Sequence, residues 1–301
     1  MTKRTVITGS SGFVGSLLCR VLPIPIADRY DILDGVSGDI TNSIIQSDIC
    51  RDASTIIHLA AISGIKACSD HPTSSFAINV LATQQLALAA KKAGVRRFVF
   101  ASSSAVYGEA QSYKMDETHP TDPRSEYGKQ KLKAESILGL SSEEFEVIVL
   151  RKSNLYGWGM VWKGITVIDK FIDACLLHEP MKLVGTGSQK RDFLHVLDAV
   201  KVYTTLINAK RVRSGIYNLG GHTPLSVRQI AEMVNDISEE VTGHRSPIDF
   251  LPDDGSPLFH DFKYDSTKAR MEFQYQPCMT VEFYIKERFL SAIRTGRGVT
   301  A

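Results

Sequence analysis

Tyr127 and Lys131 lie four residues apart in SEYGKQKLKAE, so on a helix they share one face and can share one site. A tyrosine, with an ordinary pKa of about 10, is a poor proton acceptor near neutrality, and a neighbouring ammonium favours its phenolate. The same spacing also describes a solvated helix face, which Lys129 and Lys133 would extend. What turns the pair toward chemistry is FVFASSSAVYG, Phe98–Gly108, where an apolar strand runs into a serine cluster about 24 residues upstream of the tyrosine. Proton transfer by a tyrosine, assisted by a lysine and a strand-end hydroxyl, is what these residue types can do.

A second constellation is Gly9-Ser-Ser-Gly12-Phe-Val-Gly15. It follows a strand-like run and opens a helical pattern, where bare backbone can approach a pyrophosphate and the helix N-terminus favours negative charge. That context, more than the glycines themselves, points to a dinucleotide. Asp28 comes 19 positions after Gly9, near the end of a candidate second strand. A carboxylate there accepts from the ribose hydroxyls and repels a 2′-phosphate, favouring NAD over NADP, while Arg29 beside it is the group that would read such a phosphate. A cationic nicotinamide would join Lys131 in favouring the Tyr127 phenolate.

The elements that must position these groups alternate along the first half. Strands are expected at Thr5–Thr8, Thr55–Ala60, Arg97–Ser102 and Glu146–Arg151, and helices at Gly12–Leu22, Phe76–Ala93 and Ser125–Leu138. Short buried strands alternating with helices predict an α/β fold with a Rossmann-like, doubly wound parallel sheet. After Tyr156 glycines and prolines break the pattern, although helices are expected at Ile165–Leu177, Leu197–Asn208 and Val227–Ser238, the last capped by Ser226. Residues 1–156 therefore read as the dinucleotide-binding domain, with 191–214 returning to it. Residues 157–301 read mainly as a smaller, interleaved α/β substrate lobe over the carboxyl edge of the sheet.

The 301 residues are 43% hydrophobic and 23% charged, a globular composition, and a net charge of +2 without like-charge blocks gives no reason to expect nucleic acid or a membrane as partner. Five cysteines, at 19, 50, 68, 175 and 278, form no C-x-x-C pair, so no disulfide framework and no metal site is expected. The start of the chain lacks the apolar stretch of a signal peptide, and a reducing cytoplasm fits best.

Taken in order, TGSSGFVG, HLAA at 58–61, INV around Asn79, SSSAVYG, YGKQK and RKSNLYG resemble the extended short-chain dehydrogenase/reductases. RDFLHVLDAV, YNLGG and YDSTKA are similar to later landmarks of the nucleotide-sugar epimerase and dehydratase branch. The resemblance implies that Tyr127 is the base, Lys131 its electrostatic partner and a ribose ligand, and Ser103 the hydroxyl bonding the reacting sugar oxygen, with Ser102 and Ser104 as alternatives. It implies an NAD site made by Gly9, Ser11, Gly12, Phe13, Val14, Gly15, Asp28, Arg29, Asp39, Ile40, Leu59, Ala60, Ala61, Asn79, Ala101 and Ser102, completed by Tyr127 and Lys131. For a nucleotide-sugar substrate it implies Lys66, Ser103, Ser104, Tyr127, Asn154 and Arg191, the last clamping the diphosphate. A homodimer is also implied, whereas His195 and Asp198 read as structural.

Within that family, sugar 4,6-dehydratases usually carry an acidic pair directly after the strand-end hydroxyl. Ser104 and Ala105 stand there in this sequence, which removes general-acid help worth about 10²–10⁴-fold and disfavours dehydration. C4 epimerisation of a nucleotide sugar, such as a UDP-sugar, through a transient 4-keto state needs only the serine, tyrosine and lysine. A 4-ketoreductase would use the same residues in one direction, and a dinucleotide sensor would have no use for them. Two departures stand out: the segment between Leu22 and Asp39 is short, and Ser256 falls near the place of the second phosphate-binding arginine of the UDP-galactose 4-epimerase pattern.

Overall fold

In the computed structural model the β-branched run at the start of the chain forms β1 (Arg4–Thr8), whose Val6 and Ile7 are fully buried. The structure describes residues 4–25, 28–32, 38–139, 143–158, 166–252 and 262–295. Strands β1, β2 (Arg29–Tyr30), β3 (Ala53–His58), β4 (Arg97–Ser103), β5 (Glu146–Lys152) and β6 (Gly215–Leu219) make one parallel sheet in the order β6-β5-β4-β3-β1-β2. Covered on both faces, these strands can be continuously apolar, as the sequence led one to expect.

Helix α1 (Phe13–Val21) packs on one face, and α2 (Ser43–Cys50), α3 (Thr83–Lys92) and α4 (Glu126–Ile137) cover the other. The expected helix 76–93 is interrupted: Pro72–Phe76 is α-helical, Ala77–Ala82 makes a π-helical turn, and α3 follows. That turn carries Asn79, and such insertions often mark functional sites. Ser125 caps α4 by accepting from the Gly128 amide, which fixes where the helix bearing Tyr127 and Lys131 begins.

Beyond residue 156 the chain divides between two cores. Helix α5 (Val167–Leu176), α7 (Val227–Thr242) and α8 (Val281–Arg294) build their own cluster around Ile172, Ile230, Val234 and Phe289. Helix α6 (Val196–Asn208) and β6 instead join the α1 face of the sheet through Val200, Tyr203, Leu206 and Tyr217. Ser226 caps α7 in a reciprocal capping box with Gln229, and Gly243 closes that helix in the left-handed region. Among the described residues no helix is long and apolar enough to cross a membrane and no group of side chains could hold a metal ion.

Candidate active site

The residues following β1, β2 and β3 and ending β4 and β5 surround a cavity of about 960 Å³ along the carboxyl edge of the sheet. One part is backbone. Gly9 has φ +72°, and a Cβ there would lie 2.6 Å from the Ala60 nitrogen, while a Cβ on Gly15 would run into the Gly9 carbonyl oxygen. Glycine is required at both places by close backbone approach. Gly12 is the N-cap of α1 and supplies no side-chain acceptor, so the first amides of this nine-residue helix face the turn without a cap. Those features fit a dinucleotide pyrophosphate.

Phe13, Val14, Asp39, Ile40, Leu59, Ala60, Ala61, Ala101 and Ser102 also line the cavity. Asp28 does not. It lies before β2, where its carboxylate accepts from Arg4 Nε at 2.7 Å. Arg29 is likewise engaged elsewhere, its Nε and a terminal nitrogen donating to the Ile24 carbonyl at 3.0 and 2.6 Å. The carboxylate beside the glycine turn is Asp31, the residue immediately after β2, which accepts from the Ser11 amide at 3.0 Å and lines the cavity. Counting from Gly9 pointed to the acid before β2 rather than the one after it; the acid directly following Tyr30 was the available signal.

At the other part, Ser103, Tyr127 and Lys131 meet. Ser102 faces away toward α4 and donates to Glu135, which also accepts from Arg151 at 2.6 Å in a buried ion pair. Ser104 begins a 3-10 turn outside the cavity lining, whereas Ser103 lines the cavity and is the serine whose hydroxyl acts on Tyr127. Lys131 Nζ donates to the Ala101 carbonyl at 2.8 Å and lies 5.7 Å from the centre of the Tyr127 ring. Burial pushes Tyr127 up to about 12, Cys68 adds to that, and the Ser103 hydrogen bond opposes it. Burial first, then the charge of Lys152, brings Lys131 down to about 7. The tyrosine thus keeps its proton near neutrality in this cavity.

Several expected ligands lie outside the cavity lining. Asn79 is buried and acts on the loop instead: its Oδ1 accepts from the Ile62 amide at 2.9 Å, and its Nδ2 donates to the Ile62 carbonyl and to Gln130. Lys66 is exposed on its helix and pairs with Asp70 at 2.8 Å. Arg191 sits on the short strand Lys190–Arg191, with one terminal nitrogen donating to the Lys190 carbonyl at 2.9 Å. Asn154 does line the cavity, its Nδ2 donating to the Asp192 carbonyl at 3.0 Å. Ser256 lies outside the described residues. His195 caps α6 through Nδ1, and Asp198 accepts from the Cys278 and Met279 amides, both structural tasks. Lys152 is a lining residue that the sequence reading did not single out.

Residues 5–220 match the NAD dependent epimerase/dehydratase family. The chain is 27% identical to the uncharacterized UDP-glucose epimerase YtcB of Bacillus subtilis, covering 93% of this chain and 94% of that protein. It is 28% identical to the dTDP-D-glucose 4,6-dehydratase of Mus musculus, over 83% of this chain and 78% of the other. Among solved structures, MoeE5 in complex with UDP-glucuronic acid and NAD superposes with a TM-score of 0.80 at 29% identity, covering 97% of this chain and 99% of that one. The glycine cradle, the parallel sheet and the match over residues 5–220 agree: this chain belongs to the NAD dependent epimerase/dehydratase family, and its cofactor is NAD.

Proposed function

We propose that the protein epimerises C4 of a nucleotide-activated sugar, with a UDP-sugar as the first candidate. The observation that carries this reading is the meeting of Ser103, Tyr127 and Lys131 at a strand end that supplies no acid, since Ser104 and Ala105 follow. Among the described lining residues the carboxylates are Asp31, Asp39 and Asp169. Asp31 and Asp39 lie at the β2 end, and Asp169 accepts from Arg288 and Tyr284, both at 2.6 Å. YtcB is named a UDP-glucose epimerase, and MoeE5 has been solved with UDP-glucose as well as with UDP-glucuronic acid.

In this reading Ser103 hydrogen-bonds the C4 oxygen, Tyr127 receives its proton, and Lys131 opposes protonation of the tyrosine while holding the nicotinamide ribose. The chemistry NAD supplies when bound is reversible acceptance of hydride from C4. Tyr127 returns the proton once the keto sugar has turned its other face. The Glu135 and Arg151 pair keeps Ser102, and with it the β4 end, against α4. Asn154 and Arg191 are proposed to take the diphosphate, and Asp31 the adenosine ribose. A homodimer in the cytoplasm belongs to the same reading; the dimer is supported by Leu81 and Leu88, which stay 45% and 47% exposed along the Ala77–Lys92 stretch.

The test is incubation with NAD and, separately, UDP-glucose, UDP-N-acetylglucosamine and UDP-glucuronic acid, with chromatographic separation of the C4 isomers. Redox-neutral conversion of one isomer to the other is expected. A dehydrated or decarboxylated product, or stoichiometric consumption of NADH by a keto sugar, overturns the assignment. Tyr127→Phe should lower turnover at least about 10²-fold while leaving NAD affinity nearly unchanged, because only the proton-transfer group is lost.

A further inference from the structure

Lys152 is a cation in the cavity to which the proposed reaction gives no task. It ends β5 and is the register partner of Ser103 on β4, so the two side chains leave the same face of the sheet as neighbours, and both line the cavity. Its ammonium lies over the Tyr203 ring, 5.9 Å from the centroid. Among the described residues neither a carboxylate nor a hydrogen-bond acceptor pairs with that ammonium, and the fully buried Tyr203 hydroxyl beneath has no hydrogen-bond partner either. Burial alone brings Lys152 down to about 8, and its charge is felt at Lys131. The cavity is therefore polarised, with the Lys131 and Lys152 amines where β4 and β5 end and the carboxylates Asp31 and Asp39 at the β2 side.

Strand order gives the dinucleotide its direction. If the glycine turn after β1 takes the pyrophosphate and Asp31 after β2 the adenosine ribose, the nicotinamide runs the other way, past β3, to the ends of β4 and β5. The oxidised ring is a cation and the reduced ring is neutral, and inside a protein like charges interact far more strongly than in water. We propose that Lys152 sets the redox bias of the bound cofactor: its ammonium disfavours the cationic ring, leaves the neutral ring unopposed, and so makes this site prefer NADH over NAD⁺. The effect favours the first half of the proposed epimerisation, withdrawal of hydride from the sugar. It rests on the reading that the reacting end of the cofactor lies at Ser103, Tyr127 and Lys131.

Displacement titrations with NAD⁺ and with NADH, on the purified wild type, Lys152→Met and Lys152→Arg, test the proposal without measuring turnover. The wild type should bind NADH at least about tenfold more tightly than NAD⁺. Lys152→Met should shrink that ratio about tenfold, chiefly by tightening NAD⁺, which for a two-electron couple is about 30 mV; Lys152→Arg should keep the wild-type ratio. Equal weakening of both forms in Lys152→Met would show a ligand of the pyrophosphate or carboxamide and overturn the proposal. Equal affinity of the wild type for the two forms overturns it as well, and decides the matter should the methionine variant not fold. Failure of the underlying site assignment shows differently, as full turnover by Tyr127→Phe.

Discussion

The two ends of the cavity are built from different materials. Around Gly9, Gly12 and Gly15 the wall is backbone, made possible by missing side chains and by the uncapped start of α1. Around Ser103 the wall is side chain, and its polar groups are held by Glu135 with Arg151 and by Lys131 on the Ala101 carbonyl, with Lys152 over the Tyr203 ring beside them. A backbone site depends on steric exclusion and has no titration of its own. A site made of buried charges depends on every partner being present, since an unpaired buried charge costs several kcal/mol.

That contrast can be broken at its charged end. Glu135 and Arg151 are 8% and 3% exposed, so Glu135→Ala leaves a buried guanidinium unpaired and should destabilise the fold by about 3–5 kcal/mol, read from denaturant melts. An unchanged melt would mean that the ion pair does not hold α4 to the sheet. Glu135→Gln should recover part, because an amide oxygen can still accept from Ser102 and from Arg151.

The adenosine end offers a smaller and more selective effect. Asp31→Asn should weaken NAD binding about tenfold and narrow its preference over NADP, as expected from losing a charge-assisted hydrogen bond worth about 1.5–3 kcal/mol when exchange with water is only partial. Asp28→Asn should leave both affinities alone and cost about 1 kcal/mol of stability, because its carboxylate serves the Arg4 ion pair. Exchanged outcomes for the two variants would return the ribose to Asp28.

A pH dependence sharpens the comparison further. Lys131 is 2% exposed and sits at about 7 in the folded protein against an ordinary 10.5. Between those values the unfolded chain binds more protons than the folded one, so the cofactor-free protein should gain stability as pH rises, by up to about 1.4 kcal/mol per pH unit from this group. Below about pH 7 the lysine is protonated in both states and contributes no slope. Lys131→Met should flatten the rise in melting temperature between pH 7 and 9, and a slope equal to the wild type would show that the buried lysine is not the source. Lys152, at about 8, acts in the same direction and keeps its share in that variant.

The sequence by itself determined the doubly wound sheet, the glycine turn and the helix pairing Tyr127 with Lys131. Each is local: apolar runs of strand length, backbone that tolerates no Cβ, and a spacing of four on a helix all act within a few residues of chain. Only the tertiary structure decided which of three serines serves Tyr127, because the Ser102 hydroxyl is drawn to Glu135, 33 residues away, while Ser103 turns to Tyr127. Only it shows that Asp31, and not Asp28, stands beside the Ser11 amide, while Asp28 pairs with Arg4. Asn79 likewise shows its task, holding the Ile62 backbone, once the π-helical turn is seen folded against that loop. Lys152 reads in the sequence as one more basic residue at a strand end. It becomes a charge facing the cofactor only because β5 lies beside β4 in register, a pairing between residues about fifty positions apart that no local pattern encodes.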